Sequence, residues 1–134
     1  MASAIYDKAK QALLTGAISW TTDNIKAVLV DTGSYSPSFS SNQYLSDIAA
    51  GARIATSGNL ASKTATNGVA DAADVTFTAV TGASVEAIVV YKDTGSAATS
   101  PLICYIDSAS IGLPITPNGG DIATTWNGSG IFRL

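Results

Sequence analysis

The stretch Val85-Glu86-Ala87-Ile88-Val89-Val90-Tyr91 decides how the rest of the chain is read. It is a short run rich in β-branched residues, which suits a pleated strand better than a helix. Ile88 and Val90 fall on one face, Val89 and Tyr91 on the other, so both faces are expected to be covered. A second run, Ile25-Lys26-Ala27-Val28-Leu29-Val30, ends in the turn chemistry of Asp31-Thr32-Gly33-Ser34. Leu102-Ile103-Cys104-Tyr105-Ile106 is a third. Val75 to Val80 alternates with period two, and Arg53 to Ala61 holds a weak strand interrupted by Gly58. Asn67-Gly68 is a turn signal, and Gln43 to Ala50 is a helical turn or an irregular stretch. Pro117-Asn118-Gly119-Gly120 and Asn127-Gly128-Ser129-Gly130 read as hairpin-type turns flanking Asp121 to Trp126 and Ile131 to Leu134.

Only the beginning of the chain has helical spacing. Ile5, Ala9 and Leu13, with Tyr6 and Ala12 beside them, predict an amphipathic helix over Ser3 to Leu14, with Ser3 as N-cap and Gly16 as the stop. Helix–strand alternation is absent, which argues against a parallel α/β fold. The expected fold is mainly β: an antiparallel β-sandwich or barrel with one short N-terminal helix. It forms a single domain, with a helical segment over 1–16 and the sandwich over 17–134.

Composition narrows the chemistry. A chain of 134 residues can bury roughly two-thirds of its surface in one core without disulfides. Charged residues are 13%, against about 25% in an ordinary globular protein. The chain has no histidine, which excludes Ser-His-Asp triads, Cys-His pairs and imidazole zinc ligands. Cys104 stands alone and reads as a small buried apolar residue. The formal charge of -3 comes from scattered residues without a basic stripe, so nucleic acid is not an expected partner. No apolar run reaches the roughly 18 residues of a membrane helix. Asp7, Lys8 and Lys10 occupy the place of a signal peptide's apolar core, so the chain is expected in the cytoplasm where it is made. No cofactor or metal is expected. So few charges on a water-borne chain suggest a surface partly covered by partners.

Several motifs tempt a chemical reading. Asp31-Thr32-Gly33-Ser34 after an apolar strand, repeated at Asp93-Thr94-Gly95-Ser96, has the form of an aspartic-protease signature, where two carboxylates share a proton. A two-lobed protease needs more than twice this length, and Lys92 precedes the second copy. A dimeric protease would need a flap and a later apolar pair before glycine, at which Ser110-Ile111-Gly112 only gestures. Asp-Thr-Gly is also ordinary turn chemistry, and the two aspartates are expected to lie too far apart to share a proton. Asp71 and Asp74 lack the ligand density of a calcium loop. Asn127-Gly128-Ser129 has the form of a glycosylation sequon but reads as a turn, and nothing positions Lys26, Lys63 or Lys92 beside a serine as a dyad. Trp20, Phe77 and Trp126 read as core. Tyr35, Phe39 and Tyr44 lie along a Ser/Pro loop, where exposed aromatics are typical interface anchors.

Longer stretches carry a family likeness. Ala4-Ile5-Tyr6-Asp7-Lys8, Gly16-Ala17-Ile18-Ser19-Trp20 and Ile25 through Thr32 resemble a small protein common in tailed bacteriophages and prophages. So do Phe39 through Ile48, Glu86 through Gly95, Leu113 through Ile122, and the closing Gly130-Ile131-Phe132-Arg133-Leu134. Members often sit among virion structural genes, and some resemble capsid cement, or decoration, proteins of β-sandwich or jelly-roll fold. The resemblance implies a non-enzymatic protein on the capsid exterior of the virion. Its partner would be the phage major capsid protein, whose shell it stabilises, with self-association as a dimer or trimer. Neither nucleic acid nor membrane is an expected partner. Contact residues are expected in the N-terminal segment (Ile5, Tyr6, Leu13), the loop (Tyr35, Phe39, Tyr44) and the final strand (Phe132, Leu134). A tail, neck or fibre component, an aspartic hydrolase using Asp31 and a carbohydrate-binding module on the virion surface are the alternatives.

Overall fold

The computed structural model describes residues 4–107 and 113–133. The described chain is mainly β, with antiparallel ladders and one α-helix. Strand β1 is Ala4–Ile5, and helix α1 spans Asp7–Thr15. Then come β2 (Ile25–Val30), β3 (Arg53–Thr56), β4 (Val69–Ala70), β5 (Val75–Phe77) and β6 (Ala87–Lys92). β7 (Leu102–Ile106), β8 (Ile122–Thr124) and β9 (Phe132–Arg133) complete the set. Short 3-10 turns at Leu45–Asp47 and Ala50–Ala52 lead into β3.

The three apolar runs form the middle of a five-stranded sheet, in the order β1-β7-β6-β2-β3. β2 and β6 pair along their whole length, from Ile25 opposite Lys92 to Val30 opposite Ala87. That register puts Val28, Val30, Val89 and Tyr91 on one face, and Ala27, Leu29, Ile88 and Val90 on the other. All eight are buried, so both faces of the sheet are covered, as their uninterrupted hydrophobicity requires. On the first face Phe39 meets Tyr105 of β7 at 5.9 Å between ring centroids. One core joins these strands to Trp20, Phe77, Ile122, Trp126 and Ile131.

The remaining ladders are β4 with β9 and β5 with β8, each two-stranded, and no barrel closes among the described residues. Neither glycine-rich turn of the last third joins paired strands. Asn127 to Gly130 leads from β8, which pairs with β5, to β9, which pairs with β4. Asn-Gly chemistry sets a tight local turn, as the Ser129 amide on Asn127 Oδ1 (2.8 Å) shows, but it does not choose the strands' partners.

Helix α1 begins at Asp7, not Ser3, which lies outside the described residues. Ala4 and Ile5 instead pair with Tyr105 and Cys104, and the Tyr6 amide extends this ladder to the Ile103 carbonyl. Ile5 falls on the helical period by coincidence, because its backbone is already taken by the sheet. The Tyr6 carbonyl then accepts the Ala9 and Lys10 amides and starts the helix. Gly16, at φ 79°, ends it by donating to the Ala12 carbonyl, the left-handed stop that glycine adopts without strain.

Candidate interaction surface

The loop after β2 is folded by its own polar side chains. The Asn42 carbonyl oxygen accepts from the Ser38 amide (2.9 Å) and from the Tyr35 hydroxyl (2.8 Å). Tyr35 and Tyr6 in turn share a buried hydroxyl–hydroxyl bond of 2.7 Å. Burial, reinforced by that bond, pushes the Tyr6 phenol well up. Phe39 packs tilted against Tyr6 at 5.3 Å, and its carbonyl accepts the Asp7 amide at 2.8 Å. Asp47 closes the segment by accepting the Gln43 and Tyr44 amides at 2.7 and 2.9 Å. The 35–47 segment is thereby docked on the start of α1 and the edge of β7.

This geometry brings together Tyr6, Tyr35 and Phe39, three of the residues expected to make contacts, while the register sets Ile5 opposite Cys104 on the other face of the sheet. Tyr6 and Tyr35 are core residues whose side chains face this chain's own interior. Ile5, Leu13, Phe39 and Tyr44 are half-buried. Phe132 is half-buried elsewhere, edge-on to Trp20 at 5.2 Å, and Leu134 lies outside the described residues. Trp20, Phe77 and Trp126 are core, and the two indoles donate to the Asp71 and Ala73 carbonyls.

The helical period contains one feature that the stripe from Ala9 to Leu13 passes over. Leu14 falls about 100° round the helix from Leu13 and is 87% exposed. A lone exposed leucine is ordinary. This one belongs to the same helix as an open hollow of about 250 Å³, lined by Lys8, Gln11, Ala12, Thr15, Ala17 and Gln43. α1 thus carries an apolar knob and, on a different flank, a recess shared with Gln43 of the adjoining loop.

The acidic motifs resolve into turn chemistry. Asp31 Oδ1 accepts the Gly33 amide at 2.9 Å, and Asp93 Oδ1 accepts the Gly95 amide at 3.0 Å. Asp31 follows β2, whereas Asp93 follows β6 and donates its amide to the Asn24 carbonyl before β2 begins. The two therefore stand at opposite ends of one ladder, roughly 20 Å apart at the rise of a strand. Within one chain they cannot share a proton.

Asp31 instead neighbours Glu86, whose carboxylate accepts the Thr32 amide and hydroxyl at 2.9 and 3.0 Å. The Ser84 hydroxyl and the two Thr32 donors hold the Glu86 carboxyl below its usual range against the effect of burial. Asp74 caps the Trp126 amide at 3.0 Å, and Asp71 caps the amide of Ala72 at 2.9 Å. Ser110-Ile111-Gly112 lies outside the described residues.

Each of the three lysines has a partner other than serine. Lys26 pairs with Asp93 at 3.0 Å. Lys92 reaches Asp23 at 3.2 Å and the Ala17 carbonyl at 2.9 Å, and Lys63 donates to the Asp23 carbonyl. Cys104 is buried, and desolvation pushes its thiol up to about 12. No helix among the described residues is long and apolar enough to cross a membrane.

Arg53 is the polar residue that sequence reading passes over. Its Nε is buried and lacks a hydrogen-bond partner, an arrangement that costs about 1–3 kcal/mol when left uncompensated. No sequence pattern marks it, because it reads as the first residue of a weak strand. No family model matches the chain, and no curated protein matches it.

Proposed function

We propose that this chain is a non-enzymatic structural module, a bacteriophage capsid cement protein that binds the outside of the major-capsid-protein shell. The observation that carries the reading is the surface on α1 and the adjoining loop. It is preformed by the Tyr6–Tyr35–Asn42 hydrogen bonds, and α1 adds the exposed Leu14 and, on a different flank, an open recess. A preformed surface loses little conformational entropy on docking, and many equivalent weak contacts on a shell add up through avidity. The likeness of nearly the whole sequence to small phage proteins supplies the identity of the shell. In this reading the two small ladders form a second layer over the five-stranded sheet, giving a variant of the sandwich. Copies on the shell associate as dimers or trimers according to local symmetry.

The direct test is co-sedimentation of the purified protein with empty shells of the major capsid protein from the same genome. Saturable binding, with a virion copy number near that of the major capsid protein, is the expected result. Absence from shells, with the few copies of a tail or neck ring in the virion, would replace this reading with the tail or neck alternative. Leu14→Ser should weaken shell binding while leaving the melting temperature in place, because the side chain is exposed.

A further inference from the structure

Three asparagines stand directly before a glycine: Asn67, Asn118 and Asn127. Such a pair can react with itself. The glycine amide nitrogen attacks the asparagine side-chain carbonyl carbon, unhindered because glycine carries no side chain. A new C–N bond closes a five-membered succinimide, the C–N bond to the side-chain amide breaks, and ammonia leaves. Water then opens the ring at either carbonyl. One opening yields aspartate, and the other yields isoaspartate, whose main chain runs through the former side chain. All three asparagines are exposed, so neither the dipeptide nor its exposure separates them. Their hydrogen bonds do.

Ring closure needs a side chain free to turn and a glycine amide free to approach it. At Asn118, Oδ1 accepts the Gly120 amide at 3.0 Å, and the Gly119 amide donates to the Val80 carbonyl at 2.7 Å. At Asn127, Oδ1 accepts the Ser129 amide at 2.8 Å, and the main-chain carbonyl accepts the Gly130 amide at 2.9 Å. Attack at either site must first disturb two well-formed bonds. The Asn67 side chain has no hydrogen-bond partner among the described residues. The Gly68 amide reaches the Ala65 carbonyl only at 3.4 Å, beyond the ordinary range. Asn67 also sits at φ 55° in the short Thr66–Gly68 turn, a left-handed conformation unfavourable for any residue with a side chain. Little therefore opposes the rotation that ring closure requires.

We propose that Asn67 is a site of spontaneous deamidation in the folded protein, converting to isoaspartate and aspartate well ahead of Asn118 and Asn127. Its place in the fold gives the change a local consequence. The Val69 amide closes the turn on the Thr66 carbonyl, and Val69 and Ala70 then pair with Arg133 and Phe132. Isoaspartate inserts one extra main-chain atom between Thr66 and Val69 and adds a negative charge. The turn no longer closes in register. β9, whose only strand partner among the described residues is β4, loosens with it. The inference does not depend on the capsid reading.

The test ages the whole protein in mildly alkaline buffer, once folded and once in concentrated urea. Peptide mapping by mass spectrometry reads the exchange of NH for O at each asparagine, and enzymatic isoaspartyl methylation counts the isoaspartate. In the folded protein Asn67 should react at least tenfold faster than Asn118 or Asn127. In urea the three should react at similar rates, because the hydrogen bonds that separate them are gone. Asn67→Gln should remove the fast phase, since its ring would need six members. Hydrogen exchange at the Ile131 amide, which bonds to the Ala70 carbonyl at 2.7 Å, should be faster in the isoaspartate form than in Asn67→Asp. That variant carries the charge without the extra main-chain atom. Asn118 or Asn127 keeping pace with Asn67 in the folded protein, or a tenfold lead of Asn67 persisting in urea, would overturn the assignment to the fold. Equal protection of Ile131 in the two forms would overturn the loosening of β9.

Discussion

The middle of the large sheet and the small ladders around it are held together by different physics. In β2, β6 and β7 most side chains are completely inaccessible, and stability comes from burying apolar surface on both faces. In β4, β5, β8 and β9 the ladders are two or three residues long. There, single polar groups fix the chain: Asp74 on the Trp126 amide, Asp121 on the Ala79 amide, and Asn127 on the Ser129 amide. The first region tolerates no loss of volume. The second depends on a few positions whose loss is felt locally.

The largest effect is expected where the sheet is densest. Ile88→Ala should cost about 2–5 kcal/mol in denaturant unfolding, because a fully buried side chain leaves a cavity. A cost below 1 kcal/mol would show that the sheet centre collapses around the gap, and the contrast with the periphery would then be lost.

Gly130→Ala probes the other region. Its Cβ would lie 2.3 Å from Val69 Cγ1 and 3.1 Å from the Ala70 carbonyl oxygen, at a φ of 106°. Strain and overpacking together should cost roughly 2–4 kcal/mol. Hydrogen exchange should locate the damage at the Ile131 amide, which bonds to the Ala70 carbonyl at 2.7 Å. Cys104 separates the two cases further. Its thiol, buried in β7, should label with a thiol reagent faster in Ile88→Ala and at the wild-type rate in Gly130→Ala if the regions open independently. Equal acceleration in both would make them one cooperative unit.

Tyr35→Phe should cost about 1–2 kcal/mol, since it removes the hydroxyl that links Tyr6 to Asn42. The smallest effect is electrostatic. Burial raises the Asp23 carboxyl, but the Ser19 amide and the Lys92 ammonium outweigh it and hold it below its usual range. The Gly95 amide and Lys26 do the same for Asp93. Carboxyls depressed in the folded state add stability that is complete above their unfolded pKa and is lost as pH falls through the folded one. Stability should therefore be level near neutrality and decline below roughly pH 4. Asp23→Asn should flatten part of that decline, and a decline that Asp23→Asn leaves unchanged would remove Asp23 from the account.

The apolar runs at Ile25–Val30, Ala87–Lys92 and Leu102–Ile106 were legible because a doubly covered strand has no polar side to confuse the pattern. β1 was not legible, because two residues carry no period of their own and its partner is Tyr105. The glycine turns were legible as turns but not as connections, since local backbone chemistry cannot name a distant strand. Tyr6 and Tyr35 read as surface anchors because tyrosine suits both water and core. Only their mutual hydroxyl bond shows which environment they occupy. Leu14 and Arg53 were missed for the same reason: each stands out only against its three-dimensional surroundings.

The pairing of Ala4 with Tyr105 and of Val69 with Arg133 also sets an order of events during synthesis. β1 leaves the ribosome long before its partner strand exists, and β4 waits for the last ladder of the described chain. The nascent protein must therefore carry unpaired strand edges until most of its length has emerged. β6 and β7, joined by a short loop, can pair with each other early and give the waiting segments a template.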